Sequence, residues 1–111
     1  MDKFQTLKLN KEFRRLYGRG KSLVSPVLVT YALPNRSGEI RIGITAGKKV
    51  GGAVQRNRAK RVITAAFREC VPHINGGWDF VFVARTRTGA AGAGAVYDAM
   101  QQHFSELEIW L

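Results

Sequence analysis

The feature that most constrains the fold is a change of hydrophobic period along the chain. Apolar residues alternate with other residues over 27–33 and again over 40–46, which is the pattern of half-buried β-strands. From about Ala53 to Cys70 the apolar residues recur instead at helical spacing, and Pro72 ends the segment. Because a sheet and an amphipathic helix must each bury an apolar face, the change predicts a sheet packed against helices.

Further elements flank this central pattern. Asn10 is placed to cap a short helix that stops at Gly18 and Gly20. A strongly apolar strand follows at 79–84, and helical spacing over 96–107 predicts a C-terminal helix. The predicted class is α+β, with one layer of mostly antiparallel sheet, about four strands, packed with helices in the order αβββαβα.

The glycine and proline positions predict the connections. Residues 34–38 are turn formers, so the two alternating strands are expected to pair as a hairpin. On the second strand, Gly43 and Gly47 lie opposite the isoleucines and are expected to leave that face of the sheet open. The run 89–95, which contains only Gly and Ala, is expected to be loose, either as a flexible loop or as the frayed start of a helix.

Length and charge predict one domain that binds a polyanion. A chain of 111 residues with 45% hydrophobic residues is interpreted as a single RNA-binding domain over 1–111. Its 18 Lys and Arg against 8 Asp and Glu give a formal net charge of +10, which attracts polyanions. Since no stretch has the length of a membrane span or the apolar core of a signal peptide, we expect no membrane partner and a cytoplasmic location.

Few side chains offer catalytic or metal-binding chemistry. Cys70 is the only cysteine and lies inside an apolar pattern, so it is expected to be a core residue. His73 and His103 have no Cys or paired carboxylate at ligand spacing, and they are expected to be surface or packing residues. The sequence predicts no catalytic residue, no metal site and no cofactor bound by the protein alone.

The long helix combines an apolar stripe with a basic face. Helical spacing predicts that the stripe facing the sheet contains Ala59, Val62, Ile63, Ala66, Phe67 and Cys70. The opposite face collects Asn57, Lys60, Arg61, Thr64 and Arg68, with Arg56 and Arg58 at its flanks. No acidic residue neutralises these charges within the run, as it would on a face that is merely solvated. We therefore interpret the face as a phosphate-binding surface.

This segment resembles the RNR motif of the bacterial ribonuclease P protein family. The matching residues are Lys48-Lys49-Val50-Gly51, Ala53-Val54, Arg56-Asn57-Arg58 and Lys60-Arg61. The likeness extends along nearly the whole chain, from Asn10 to Arg85, and weakens after Arg85. The resemblance implies a ribosomal-protein-S5-domain-like fold with a left-handed βαβ crossover. It also implies a non-catalytic subunit of an endoribonuclease whose RNA subunit performs Mg²⁺-dependent hydrolysis.

The resemblance further implies two RNA-binding surfaces. The ribonuclease P RNA would be bound by Lys48, Lys49, Arg56, Asn57, Arg58, Lys60, Arg61 and Arg68. The 5′ leader of precursor tRNA would lie in a cleft lined by Phe13, Tyr17 and Tyr31. The spacing of Phe13 and Tyr17 equally suits the core stripe of the first helix. Without RNA the protein is expected to be monomeric, with Mg²⁺ entering only through the RNA subunit.

The sequence departs from the pattern of the family at two positions. Thr64 stands where many relatives carry a basic residue, which Arg68 could replace one turn on, and Gly52 replaces a common Asn that would cap the helix.

Two alternative functions remain open. A ribosomal-type structural RNA binder would share the charge and size, and a stand-alone basic nuclease would share the affinity for RNA. Stimulated cleavage of leader-bearing precursor tRNA distinguishes the first alternative, and cleavage without RNA distinguishes the second.

Overall fold

The computed structural model describes residues 3–111, so Met1 and Asp2 of the predicted domain lie outside the described residues. The elements are β1 (Gln5–Thr6), α1 (Asn10–Arg19), β2 (Lys21–Ser25), β3 (Leu28–Pro34), β4 (Ile40–Thr45), α2 (Ala53–Cys70), β5 (Trp78–Ala84) and α3 (Thr88–Glu106). Short 3₁₀ turns precede and follow α2 at Lys48–Val50 and Val71–His73. The α+β class and the position of the long helix are confirmed, and β1 adds one short strand.

The five strands form one mixed sheet in the order β1-β4-β5-β3-β2. β3 runs antiparallel to β2 and β5, whereas β4 runs parallel to β1 and β5. The predicted hairpin between β3 and β4 is wrong, because β5 lies between them. β5 is apolar along most of its length and nearly all buried, so it takes the central position that is covered on both faces. Helix α2 connects the parallel neighbours β4 and β5.

Helices α2 and α3 pack on one face of the sheet and form the main core. The predicted stripe of α2 faces this core, and only Val62 among its six residues is partly exposed. Phe67 lies at the centre, with its ring centroid 5.3 Å from that of Phe82 and 6.2 Å from that of Phe104. Burial raises the pKa of the Cys70 thiol to about 12, so Cys70 is an unreactive core residue, as predicted.

Helix α1 packs on the opposite face and partly covers it. Leu16 of α1 is fully buried against Val81, and the Phe13 ring lies directly over Gly43. A Cβ atom at position 43 would lie 2.4 Å from Phe13 Cζ, so only glycine admits the ring at this distance. The expectation of an open face is therefore wrong at Gly43, while Gly47 is exposed.

The start of α1 differs slightly from the prediction. The helix begins at Asn10 itself, and Leu9 takes the N-cap position. The Leu9 N–H donates to Glu12 Oε1 at 3.2 Å, which is half of a capping box. The predicted cap at Asn10 is therefore wrong, because Asn10 is already the first residue of the helix and Leu9 takes the cap position.

The Gly-Ala run, expected as a flexible loop or a frayed helix start, forms the beginning of α3 and is helical apart from Gly92. Thr88 fixes the first turn by donating its hydroxyl to the Val27 carbonyl at 2.7 Å and accepting from the Arg85 N–H at 2.8 Å. The helix is interrupted only at Gly92, where φ is 83°. Alanine favours helix strongly, and the tertiary anchor at Thr88 offsets the cost of the glycines.

His103 of α3 is buried against β3, where its Nδ1 atom lies 2.8 Å from Thr30 Oγ1. Burial lowers the pKa of His103, and the charge of Glu106 and the Val24 carbonyl oppose this only in part. The folded protein therefore favours the neutral imidazole. This confirms the prediction that His103 is a packing residue.

The neutral state of His103 predicts how stability depends on pH. The unfolded chain, with an imidazole pKa near 6.5, binds a proton more readily than the folded chain, so stability is lost as the pH falls below that value. The loss is expected to reach at most about 1.4 kcal/mol per pH unit. Urea unfolding between pH 5 and 7.5 should show this slope in the wild type and a smaller slope in His103→Gln. Equal slopes would contradict the assignment.

Candidate RNA interface

The basic residues singled out from the sequence lie together on α2 and the 3₁₀ turn before it. We call them the basic surface: Lys48, Lys49, Arg56, Asn57, Arg58, Lys60, Arg61 and Arg68. All are exposed except Arg56, which is half-exposed. Asn57, Arg58, Lys60, Arg61 and Arg68 project from the sides of α2 that the buried stripe leaves free, whereas Arg56 lies about one turn before Ala59 of that stripe.

The charges of the basic surface are largely uncompensated inside the protein. Within residues 3–111, no carboxylate forms an ion pair with any of Lys48, Lys49, Arg56, Lys60 and Arg61. The first turn of α2 carries no acidic residue, so several cations adjoin the positive end of the helix dipole. This arrangement is unfavourable in the isolated protein, and a bound phosphate would relieve it.

The two positions that depart from the family pattern have visible consequences. Gly52 takes the N-cap position of α2 and provides no side-chain cap, as predicted. The Gln55 side chain folds back against Gly51, and Arg56 N–H donates to the Gly52 carbonyl at 2.9 Å. Thr64 donates its hydroxyl to the Lys60 carbonyl at 2.9 Å, so the proton of this hydroxyl is used within the helix.

Arg58 differs from its neighbours because it contacts α3. Its Nε atom donates to the Gly89 carbonyl oxygen at 3.1 Å. A Cβ atom at Gly89 would lie 3.6 Å from Arg58 Cδ, so the side chain lies directly over this glycine. The sequence gives no signal for this contact, since the partners are far apart in the chain and one of them is a backbone carbonyl.

The aromatic residues predicted to bind a leader lie on the α1 face of the sheet. The rings of Tyr17 and Tyr31 meet edge to face, with centroids 5.0 Å apart. Tyr17 is 43% exposed, whereas Phe13 is partly buried over Gly43. The structure therefore places Phe13 partly buried between α1 and the sheet, and it places Tyr17 largely in the open.

An open cavity of about 360 Å³ adjoins these rings, and we call it the aromatic cleft. It is lined by Asn10, Phe13, Arg14, Tyr17 and Thr45. Tyr31, which was predicted to line this cleft, does not line the cavity and lies beside it, against the Tyr17 ring. The sequence prediction also omitted Asn10, Arg14 and Thr45. Helical spacing could have found two of them, because Asn10 and Arg14 fall on the same side of α1 as Tyr17.

A buried carboxylate fixes α1 over the sheet. Asp79 is fully buried at the start of β5 and accepts from Arg15 Nη2 at 2.7 Å and from Arg41 Nε at 2.8 Å. Arg41 Nη2 and Asn35 Nδ2 each donate a further bond at 2.7 Å. The hydrogen bond from Arg41 to Asp79 raises the pKa of Arg41. Because Arg15 belongs to α1, this network positions the aromatic cleft.

Side chains that could ligate a metal ion are scattered over the described part of the chain. Among residues 3–111, no three His, Cys, Asp or Glu side chains lie close enough to hold a metal ion. The His73 ring stacks on Trp110 with centroids 4.5 Å apart, which agrees with its prediction as a packing residue. None of the helices described is long and apolar enough to cross a membrane.

Comparison with known proteins identifies the family. A sequence model of the family described as Ribonuclease P matches residues 1–108. The chain belongs to this family. The ribonuclease P protein component of Clostridioides difficile is 45% identical over 80 residues, which is 71% of this chain and 70% of that protein. The one from Herpetosiphon aurantiacus is 32% identical over 110 residues, covering 99% of this chain and 89% of that protein.

Solved structures of the family share the fold. The RNase P protein of Staphylococcus aureus superposes with a TM-score of 0.81 at 27% identity, covering 96% of this chain and 97% of that chain. The protein from Thermotoga maritima gives a TM-score of 0.79 at 25% identity, covering 92% of this chain and 96% of that chain. The recognition of the ribonuclease P family from its RNR motif is therefore confirmed.

Proposed function

We propose that this chain is the protein subunit of a ribonuclease P ribonucleoprotein, monomeric until it binds RNA, and that it promotes removal of the 5′ leader from precursor tRNA. The observation that carries the proposal is the basic surface, in which Lys48, Lys49, Arg56, Lys60 and Arg61 form no ion pair with a carboxylate among residues 3–111, in a member of this family. In the cytoplasm, that surface would bind the catalytic RNA, and the aromatic cleft on the other side of the sheet would bind the leader.

The basic surface suits an RNA backbone of irregular path. Each arginine offers a planar pair of donors to one phosphate, and each lysine offers a mobile point charge that tolerates different geometries. Asn57 can both donate and accept, which suits a base edge or a hydrated ion. Since α2 packs firmly on the core through Ile63 and Phe67, its outer side is a rigid platform.

The aromatic cleft suits single-stranded RNA. The exposed ring of Tyr17 and the adjacent ring of Tyr31 offer faces on which bases can stack without strict sequence preference. Arg14 lies in the same cleft and supplies a cation for the leader backbone. Phe13 forms the floor, and the buried Asp79 network holds α1 at a fixed distance from the sheet.

We assign no catalytic residue and no metal site to the protein. In this proposal the RNA subunit supplies hydrolysis and the Mg²⁺ ions that it requires. The protein binds and orients the leader beside the catalytic RNA.

A reconstitution assay tests the subunit assignment. Adding the protein to a bacterial ribonuclease P RNA at low Mg²⁺ is expected to increase the rate of cleavage of leader-bearing precursor tRNA, because the basic surface neutralises phosphates and the cleft adds substrate contacts. Protein purified free of RNA is expected to cleave nothing. Absence of stimulation would favour a structural RNA binder, and cleavage by protein alone would favour a basic nuclease.

The proposed leader site predicts a selective effect of Tyr31, which lies beside the aromatic cleft and contacts the Tyr17 ring. Replacing Tyr31 with Ala is expected to weaken holoenzyme binding of leader-bearing precursor tRNA by roughly 5- to 150-fold, which corresponds to about 1 to 3 kcal/mol for one stacked base. Binding of leaderless tRNA is expected to stay unchanged. Tyr31→Phe keeps the ring and is the matched control. Equal losses on both substrates would show that Tyr31 has only a structural role.

A further inference from the structure

Arg58 links the basic surface to helix α3, because its side chain donates a hydrogen bond to the carbonyl of Gly89. We propose that the Gly89 carbonyl orients the Arg58 guanidinium for bidentate binding of one phosphate of the RNA subunit, so that the first turn of α3 is a positioning element for RNA binding. This inference rests on the proposed function of the basic surface. It assigns to α3 a part in RNA binding that its mainly apolar sequence does not suggest.

The interruption of α3 explains why a carbonyl is available. Gly92 has φ 83° and ψ 172°, a conformation that essentially only glycine adopts. A break of this kind interrupts the ladder of helical hydrogen bonds, so carbonyls before it need donors from elsewhere. Arg58 supplies such a donor to Gly89.

The contact holds Arg58 at two points. The Nε–H bond fixes the plane of the guanidinium group, and the aliphatic part of the side chain rests on Gly89. Neither Nη atom has a hydrogen-bond partner among residues 3–111, and the side chain is exposed. A side chain held in this way keeps two parallel donors free for an anion.

Arg58, held in this way, suits a phosphate better than a lysine at the same position would. A guanidinium group presents two Nη donors to one phosphate, and a side chain that is already fixed loses less conformational entropy on binding. Lysine keeps the charge, but it has no second donor group with which to contact the Gly89 carbonyl and a phosphate in the same planar arrangement. Replacing Arg58 with Lys therefore keeps the charge and removes only the planar geometry.

The test compares Arg58→Lys with Arg56→Lys, measuring the Kd for ribonuclease P RNA and its dependence on salt. We expect Arg58→Lys to weaken binding by about 10-fold and Arg56→Lys by less, with the slope of log K against log salt unchanged in both, because each keeps its charge. Equal effects of the two variants would overturn the positioning role.

A second variant probes α3 without touching any charge. Gly92→Ala forces a strained backbone conformation and is expected to weaken RNA binding by about 3- to 10-fold by displacing the first turn. In the Arg58→Lys background it is expected to add nothing. Gly94→Ala, at an unobstructed helical glycine, is the matched control and should bind like the wild type. Additive losses for Gly92→Ala and Arg58→Lys would overturn the proposal.

The same measurements separate this inference from the proposed function. Arg56→Ala and Lys60→Ala should each lower the salt slope by about one, whatever Arg58 does. If all alanine variants of the basic surface bind like the wild type, the surface itself is wrongly assigned. If they bind weakly while Arg58→Lys behaves like Arg56→Lys, only the positioning role is wrong.

Discussion

Replacing Asp79 with Ala is expected to lower the free energy of unfolding by about 3 to 5 kcal/mol, the usual effect of breaking a buried ion pair. Four hydrogen bonds from three side chains converge on this carboxylate, which is fully buried. Its removal leaves Arg41 and Arg15 without their shared anion. Since the stability of most domains is only about 5 to 15 kcal/mol, the loss would be a large part of the total.

Urea unfolding followed by circular dichroism measures this effect. Asp98→Ala, at an exposed position on α3, is the matched control and should change stability by less than about 0.5 kcal/mol. Arg15→Ala should lower the free energy of unfolding by an amount between those of Asp98→Ala and Asp79→Ala. Arg15 is 40% exposed, and Arg41 still neutralises Asp79 in its absence. A loss below about 1 kcal/mol for Asp79→Ala would contradict the role given to the network.

Replacing four cations of the basic surface together is expected to have the largest effect on RNA binding. The alanine variant changes Arg56, Arg58, Lys60 and Arg61. Its affinity for ribonuclease P RNA should fall by at least about 100-fold, because losing only two charge-assisted hydrogen bonds, at on the order of 1.5 kcal/mol each, already corresponds to that factor. The slope of log K against log salt should fall by about one for each phosphate that the variant no longer binds.

Titration of labelled RNA at several salt concentrations gives both quantities. Arg36→Ala is the control, because it removes an exposed cation from the turn between β3 and β4 and leaves α2 unchanged. Its slope should equal that of the wild type. An unchanged slope in the quadruple variant would place the RNA interface on another surface of the protein.

The long helix was predictable because two independent signals coincide there. Its apolar stripe has helical spacing over 53–70, and Pro72 lies just beyond its end, so the predicted and observed bounds agree. Apart from β1 and β2, which no pattern located, the strand positions were likewise predictable, β3 and β4 from alternation and β5 from its apolar run. Their pairing was not, because β5 enters the centre of the sheet from a distant part of the chain, and turn residues at 34–38 indicate only a local reversal.

The candidate sites were also predictable to different degrees, because local patterns group only residues that are close in the chain. The basic surface lies mostly on one helix, so its residues could be grouped by spacing alone. The Asp79 network and the contact of Arg58 with Gly89 join residues that are distant in the chain, and no local pattern marks them. The only sign of the Asp79 network in the sequence was that Asp79 is a lone carboxylate at the start of an apolar strand.

The central claim is that one chain carries two RNA-binding surfaces with separate partners. The most direct test measures the Kd of the reconstituted holoenzyme for leader-bearing and leaderless precursor tRNA, with Tyr31→Ala and with Lys60→Ala. We predict that Tyr31→Ala removes the preference for the leader and leaves the affinity of the protein for the RNA subunit unchanged. Lys60→Ala should weaken assembly with the RNA subunit and, once assembly is saturated, keep the preference. A preference for the leader that survives Tyr31→Ala, or one that is lost with Lys60→Ala in the saturated holoenzyme, would contradict the claim.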